Sequence, residues 1–254
     1  MRIRRPSDKT HHRGHRGHRE LESTETNLDL CELCDLRGEI PLLTPDLRVY
    51  PSAERARAGL VLAHGAGAGQ LSAFMVRAAT SLAARQVTVA TFDFPYIIEK
   101  RKVPDPGAVL EQAWRDAIDA ASAHAAFAGL RLFIGGKSMG GRIASQAAAA
   151  GALPIAGLVF LGYPLHPPGK PAQRRDHHLP AIAAPMLFVQ GTRDAFGTAA
   201  EIRDLLPELK ARTTIHVVDG GDHSFKVPAR SGRTPDQVLD EIFDTVARWI
   251  VETR

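Results

Sequence analysis

Residues 130–150 read LRLFIGGKSMGGRIASQAAAA. The apolar run before Gly136 predicts a β-strand, the Ala-rich run after Gly140 predicts a helix, and the pentapeptide between them matches G-x-S-x-G. This succession is typical of the nucleophile elbow of serine hydrolases, where the serine lies in a strained turn with positive φ. Glycine on both sides of the serine leaves space where the strand meets the helix. Ser138 is therefore the candidate nucleophile.

Two further residues continue the chain order Ser, Asp, His that α/β hydrolases show. Asp194 follows the apolar run 186–190, and His223 follows the strand-like run 213–218. Open α/β sheets carry their chemistry at the carboxyl ends of the strands, so these side chains are expected to lie together. The pentapeptide alone is a weak signal, but the three placements agree on a catalytic triad.

Other residues compete for two of these roles. His64 also follows a predicted strand, although its His-Gly setting favours a structural role in the loop that binds the oxyanion. Asp93 and Asp222 are alternatives to Asp194 as the acid. Asp222 adjoins His223 in sequence, which makes its approach to Nδ1 awkward, and Asp93 follows a different strand.

Five motifs together resemble one branch of the α/β-hydrolase superfamily, and the resemblance covers the chain from Leu47 onward. They are HGAG at 64–67, FDFPY at 92–96, GGKSMGGR at 135–142, GYPLHPPGKP at 162–171 and GDHSF at 221–225. The branch comprises small bacterial predicted hydrolases related to dienelactone hydrolase. It shares a domain with a subunit of the animal NSL histone acetyltransferase complex and with a testis-expressed homologue. Dienelactone hydrolase itself uses a cysteine where this chain has Ser138.

The organisation of the chain agrees with an α/β-hydrolase fold over residues 46–254. From residue 59 onward, continuous apolar runs alternate with helical stretches, among them a long helix predicted over 106–128, which predicts a mainly parallel sheet with helices on both faces. The chain of 254 residues is 44% hydrophobic, which suits one large packed domain. Only about 24 Pro-rich residues separate the runs ending at 161 and starting at 186, so no full lid domain is expected.

Residues 1–45 differ in composition. The first 20 residues hold seven of the 32 Lys and Arg and two of the 28 Asp and Glu, so their net charge is +5. Because the whole chain has a net charge of +4, the remaining residues carry −1. We interpret this Arg/His-rich stretch as a disordered, solvated tail, with contact to nucleic acid or anionic lipid as the alternative. Cys31 and Cys34 supply half of a zinc site, and we interpret them as incidental rather than as metal ligands.

The sequence also bears on the compartment. No run approaches the roughly 18 apolar residues that span a membrane. The N-terminus lacks the apolar core of a secretory signal. We therefore expect a cytoplasmic protein with no membrane segment.

The mechanism predicted from these residues is acyl transfer. His223 takes the proton of Ser138 during attack, and Asp194 orients the imidazole. Backbone N–H groups stabilise the tetrahedral oxyanion, and the candidates are those of Met139 and Ala66.

Four polar residues are candidates for substrate binding. Lys137 and Arg142 flank the nucleophile in sequence, and His166 and Lys170 lie in the Pro-rich segment at the expected rim. An anionic substrate group is one interpretation of the two cations at the elbow. The alternatives are an ion pair of Arg142 with a carboxylate such as Asp93, a solvent-facing Lys137, and purely structural roles for the rim residues.

The function predicted from these features is hydrolysis of an ester or thioester of a small molecule, without a cofactor or metal. Amide or lactone hydrolysis by the same triad is the alternative within enzymes. A non-catalytic interaction module is the alternative from another class, because relatives include a subunit of a complex.

Overall fold

The computed structural model describes residues 45–253. The predictions made for the N-terminal tail, including its disorder and the interpretation of Cys31 and Cys34, lie outside the described residues.

Seven strands form one sheet in the order β1-β3-β2-β4-β5-β6-β7. Their bounds are Arg48–Tyr50 (β1), Ala58–Ala63 (β2), Val87–Phe92 (β3), Leu132–Lys137 (β4), Gly157–Leu161 (β5), Met186–Gly191 (β6) and Thr213–Val218 (β7). β1 runs antiparallel to β3, and all other neighbours pair in parallel. Every residue of β2, β3 and β6 is buried, as expected for strands covered on both faces. The predicted fold with a mainly parallel sheet is confirmed.

Six helices accompany the strands in the described part of the chain. They are Ala73–Ala83 (α1), Pro95–Ile98 (α2), Gly107–Ala123 (α3), Met139–Ala149 (α4), Ala199–Asp204 (α5) and Pro235–Glu252 (α6). Thr198 and Thr234 begin α5 and α6 with capping boxes, in which the threonine side chain and the residue three positions later satisfy each other's backbone N–H.

The sheet separates two hydrophobic cores, because successive side chains of a strand point to opposite faces. In β2, Val61 joins the core that contains Trp114 of α3 and Ile143 of α4. Its neighbour Leu60 joins the core that contains Met75 of α1 and residues of α6 such as Phe243. The helices thus cover both faces and leave the carboxyl ends of the parallel strands free to carry loops.

The connection from β4 to α4 is the tightest crossing of the fold. Ser138 has φ 50° and ψ −115°, in the positive-φ region that residues with a side chain rarely adopt. A Cβ on Gly136 would lie 2.6 Å from the carbonyl oxygen of Ala63, and one on Gly140 would lie 2.5 Å from the same oxygen. Both glycines are therefore required by the close approach of β2, β4 and α4.

The structure differs from the sequence predictions at three places. β1 and α2 were not predicted, because three and four residues are too few to show a periodicity. The helix predicted over 106–128 ends at Ala123, where the backbone of His124 becomes extended with ψ 132° and its ring accepts a hydrogen bond from the backbone N–H of Ala126.

Among residues 45–253, no helix has the length and apolar character needed to cross a bilayer.

The crossing at Gly140 yields a stability prediction. We expect Gly140→Ala to lower the free energy of unfolding by at least about 1–3 kcal/mol, the usual cost of overpacking an interior. The added Cβ would meet backbone oxygens of Ala63 and His64, which no side-chain rotation can move. In an open helix the same change stabilises by about 1 kcal/mol, so the sign of the effect is itself a test.

Urea denaturation measures the free energy of unfolding of Gly140→Ala and of a control variant. Gly151→Ala is the matched control, since a Cβ there meets nothing within 4 Å. Equal stability of the two variants would contradict the packing argument.

Candidate active site

The structure brings Ser138, Asp194 and His223 together at the carboxyl ends of β4, β6 and β7. The Nε2 atom of His223 lies 2.8 Å from the Oγ of Ser138. Its Nδ1 lies 2.8 Å from Oδ2 and 3.0 Å from Oδ1 of Asp194. Neutral imidazole has one donor and one acceptor nitrogen, so Nδ1–H facing the carboxylate leaves Nε2 free to accept the serine proton.

Asp194 is 1% exposed and surrounded by donors. Besides His223, it accepts hydrogen bonds from the backbone N–H of Phe196 at 2.8 Å and from Nε2 of Gln190 at 2.9 Å. A carboxylate removed from water is costly unless it is hydrogen-bonded in this way. These contacts hold its oxygens toward the imidazole.

The two competing acids have other partners. The side chain of Asp222 accepts from the backbone N–H groups of Ser224 and Lys226, within its own turn. Asp93 accepts from the backbone N–H of Gln70 at 2.6 Å and faces His64. Neither has His223 as a hydrogen-bond partner, so among these three carboxylates Asp194 is the one that contacts the imidazole.

Gln190 is a site residue that the sequence analysis missed. It is fully buried in β6, its Oε1 accepts from the backbone N–H of Tyr163 at 2.8 Å, and its Nε2 also donates to the carbonyl of Gly197 at 2.6 Å. The residue therefore ties the acid to the strand and to the loops on either side of it. An amide at the end of an otherwise apolar strand was the available signal.

Phe196 was also missed. Its ring lies over the imidazole of His223, with centroids 4.2 Å apart and planes inclined by 32°. It covers one face of the base and lines the cleft beside Ser138. No feature of the sequence marked this phenylalanine among the others.

His64 does not compete for the role of base. It is fully buried, its Nδ1 lies 2.8 Å from the carbonyl of Gly65, and its Nε2 accepts from the backbone N–H of Phe94 at 3.3 Å. Burial lowers the pKa of this imidazole, so it stays neutral at physiological pH. Its bonds instead shape the loop that carries Ala66.

The backbone N–H groups proposed for the oxyanion belong to residues that both line the cleft. Met139 is the first residue of α4, where N–H groups have no partner within the helix. Ala66 lies in the turn after β2. Within residues 45–253, neither backbone N–H donates a hydrogen bond, so both are available to a ligand.

Lys137 neither points to solvent nor stands free in the cleft. Its Nζ donates a hydrogen bond of 2.6 Å to the carbonyl oxygen of His223 and lies 5.3 Å from the centroid of the Phe225 ring. Burial lowers the pKa of this amine to about 8, although the charges of Asp194 and Asp222 oppose the shift. The side chain lines the cleft, but its ammonium group holds the loop of the base.

Arg142 lines the cleft, and the suggested ion pair with Asp93 is wrong. Its Nη1 donates to Oε1 of Gln146 at 3.0 Å, one turn along α4. Within the described chain, no carboxylate oxygen lies within 4 Å of its guanidinium, and Asp93 instead accepts from the backbone N–H of Gln70 and faces His64.

The predicted rim residues His166 and Lys170 do not line the cleft. His166 is 6% exposed, and its ring is bound to the carboxylate of Glu201 and the carbonyl of Pro167, each at 3.0 Å. The capping box of α5 fixes Glu201 and thereby draws the imidazole away from Ser138. Lys170 is exposed in the turn beyond.

The same segment reaches the cleft through Pro164 and Arg175 instead. The cleft has a volume of about 600 Å³ and an apolar wall that includes Phe74, Met75 and Phe196. In the part of the chain that the structure describes, no three His, Cys, Asp or Glu side chains are grouped to hold a metal ion.

A family model described as an alpha/beta hydrolase domain matches residues 56–251. The chain belongs to this family. Three solved structures share its fold. The dienelactone hydrolase of Anabaena variabilis is 18% identical with a TM-score of 0.64, over 82% of this chain and 91% of that chain. An alpha-beta serine hydrolase homologue from Coxiella burnetii is 16% identical with a TM-score of 0.61, over 80% and 89% of the two chains.

The third is a monoacylglycerol lipase from Paleococcus ferrophilus, 18% identical with a TM-score of 0.61, over 82% of this chain and 100% of that chain. At these identities the likeness shows the fold alone. The narrower relationship to the NSL complex subunit stays a prediction.

The partly buried Lys137 of this α/β hydrolase yields a prediction about pH. Because the folded pKa of about 8 lies below the ordinary 10.5, the unfolded chain holds a proton in this range that the folded chain has released. Stability contributed by this group therefore rises with pH from about 8 to 10.5. We expect wild type to gain up to about 3 kcal/mol relative to Lys137→Met over that window.

Denaturant unfolding at intervals from pH 7 to pH 10 measures the difference. Lys170→Met, which removes an exposed lysine, controls for the loss of one positive charge. A difference between wild type and Lys137→Met that does not change with pH would refute the buried-amine interpretation.

Proposed function

We propose that this α/β hydrolase cleaves a carboxylic ester or thioester through an acyl-Ser138 intermediate. The observation that supports the proposal is the unbroken chain of hydrogen bonds from Ser138 through His223 to Asp194. It starts at a serine held at positive φ, where the hydroxyl is presented to a cleft. Strain of this kind persists only where the surrounding structure enforces it, and it clusters at functional sites.

Acylation follows from the positions of the three side chains. A serine hydroxyl is a weak nucleophile at neutral pH, so Nε2 of His223 takes its proton as Oγ bonds to the substrate carbonyl carbon. The carboxylate of Asp194 stabilises the imidazolium that forms and keeps the tautomer that exposes Nε2. Phe196 and Asp194 together restrict the orientation of the ring.

Charge on the carbonyl oxygen is stabilised by the backbone N–H groups of Met139 and Ala66. Donors already aimed at the developing charge need no reorganisation during the reaction, which makes this one of the largest contributions to such catalysis. The positive end of the α4 dipole adds to it at Met139.

The intermediate collapses when the bond to the leaving oxygen or sulfur breaks and the imidazolium returns its proton to that atom. Water then enters, loses a proton to Nε2 and attacks the acyl carbon, so that the carboxylic acid is released and Ser138 regains its proton. Protein side chains accomplish each transfer. The sequence predicts no cofactor and a cytoplasmic location, and both remain part of the proposal.

The open cleft favours a small-molecule substrate. Its volume of about 600 Å³ lies within the range of ligand sites, and residues 45–253 contribute no lid domain over it. Similar structures named as a dienelactone hydrolase and a monoacylglycerol lipase support an ester-type bond. Amide or lactone hydrolysis uses the same residues, and matched substrates distinguish these from a simple ester.

The proposal predicts covalent labelling. We expect a fluorophosphonate probe to label wild type and not Ser138→Ala, since only an activated serine attacks phosphorus. Hydrolysis of 4-nitrophenyl butyrate should fall by at least about 10⁴-fold in the same variant. Ser122→Ala, on the exposed side of α3, is the control and should label normally. Absence of labelling in wild type would favour a non-catalytic interaction module.

A second prediction separates the acids. Asp194→Asn should reduce kcat by about 10⁴-fold, because the amide favours the wrong imidazole tautomer, as in serine proteases. Asp222→Asn is the matched control, with its carboxylate confined to a turn next to the base. Steady-state kinetics on one ester decides between them, and a larger loss of kcat in Asp222→Asn would reassign the acid.

A further inference from the structure

Two arginines line the cleft beside the nucleophile. Arg142 lies in the first turn of α4, four residues after Ser138, and Arg175 comes from the segment between β5 and β6. Both are partly buried. Arg175 had no place in the sequence predictions, which chose His166 and Lys170 from the same segment.

Neither guanidinium has an acidic partner in the described chain. Over residues 45–253, no carboxylate oxygen lies within 4 Å of Arg142 or Arg175. The nearby acids are bound elsewhere: Asp176 pairs with Arg174, and Glu201 pairs with His166. Glu111 acts on Arg142 only at longer range. The two guanidinium groups that line the cleft therefore have no carboxylate within 4 Å among residues 45–253.

Three physical effects disfavour a positive charge on the side chain of Arg142. Burial, and secondly the positive charge of Arg175, lower the pKa of the Arg142 guanidinium. A cation in the first turn also opposes the dipole of α4. In addition, the Nε of Arg142 is buried without a hydrogen-bond partner in the described chain. A bound anion would offset the effect of burial and the repulsion by Arg175.

Hydrogen bonds within the described chain hold the guanidinium of Arg142 and the backbone of Arg175. Nη1 of Arg142 is fixed by Gln146 at 3.0 Å. The backbone of Arg175 is held on both sides, because its N–H donates to the carbonyl of Leu165 at 2.9 Å and its carbonyl accepts from the Tyr163 hydroxyl at 2.8 Å. Preorganised guanidinium groups match planar and tetrahedral oxyanions through paired N–H donors.

We propose that Arg142 and Arg175 form an anion subsite, and that the ester or thioester substrate carries a carboxylate or phosphate-like group away from the scissile carbonyl. This inference rests on the proposed function of Ser138. The apolar wall of Phe74 and Met75 accommodates the carbon chain between the two groups. Carboxylate and phosphate-like groups both present negatively charged oxygen atoms to the guanidinium groups. Esters that carry either a carboxylate or a phosphonate distinguish which of the two the subsite prefers.

Matched esters test the subsite on the whole protein. Mono-4-nitrophenyl adipate carries a free carboxylate, 4-nitrophenyl 5-phosphonopentanoate carries a phosphonate, and 4-nitrophenyl methyl adipate has the same chain without charge. The pair 3-acetoxybenzoate and methyl 3-acetoxybenzoate places the charge on the leaving group instead. We expect at least one anionic ester to exceed its neutral partner in kcat/KM by about tenfold. The preference should shrink as salt rises, because exposed charges are screened over about 8 Å at physiological ionic strength.

Substitutions assign the preference to the two residues. Arg142→Gln and Arg175→Gln should each reduce the anionic-to-neutral ratio of kcat/KM by about tenfold, mainly through KM for the anionic ester. Arg142→Lys retains the charge and should recover part of the ratio, which a purely structural role would not explain. Arg174→Gln is the matched control: it removes the adjacent, exposed arginine that pairs with Asp176, and the ratio should be maintained.

The outcomes separate this inference from the proposed function. If wild type labels with fluorophosphonate and hydrolyses neutral esters but shows no preference for any anionic ester, the subsite is refuted and the hydrolase proposal stands. If wild type neither labels nor hydrolyses any ester, the proposed function itself fails. A preference that persists in the Arg142→Gln, Arg175→Gln double variant also overturns the assignment. Labelling of that variant by the probe shows that it has folded.

Discussion

The crossing of α4 over the end of β4 is the constraint on which the site depends. The carbonyl oxygens of Ala63 and His64 approach Gly140 so closely that no side chain fits there. The chain must therefore turn within two residues, and this turn forces Ser138 into positive φ. The same turn makes Met139 the first residue of the helix, with a free backbone N–H beside the nucleophile. The positions of the proposed nucleophile and of one proposed oxyanion donor thus follow from one packing contact.

A second set of contacts links the acid to the rim of the cleft. Gln190 donates to Asp194 and accepts from the backbone N–H of Tyr163. The hydroxyl of Tyr163 in turn donates to the carbonyl of Arg175. Buried polar groups of this kind must be fully satisfied, because each unpaired one costs about 1–3 kcal/mol. Asp194, the proposed acid, and Arg175 of the cleft are consequently held by one connected set of hydrogen bonds.

The two cations that flank the nucleophile in sequence have different surroundings. Lys137 is the last residue of β4, and its ammonium group reaches across to the carbonyl of His223. Arg142 has passed onto α4, where Gln146 is its only side-chain partner in residues 45–253. Five residues apart in the chain, they are separated by a turn that sends strand and helix in different directions. The shared positive charge of Lys137 and Arg142 therefore does not imply that the two side chains have the same role.

The alternation of strands and helices, the elbow at Ser138, and the candidates Asp194 and His223 could all be predicted from the amino-acid sequence. These features depend on short-range sterics and on the periodicity of apolar residues, and both can be read from neighbouring positions. The tertiary structure alone decided that Asp194 rather than Asp93 or Asp222 meets the imidazole, and that Arg175 lines the cleft while His166 and Lys170 do not. It also revealed Gln190 and Phe196. These outcomes depend on hydrogen bonds and burial between residues far apart in the chain, whose relative positions are set only when the sheet and its loops have packed.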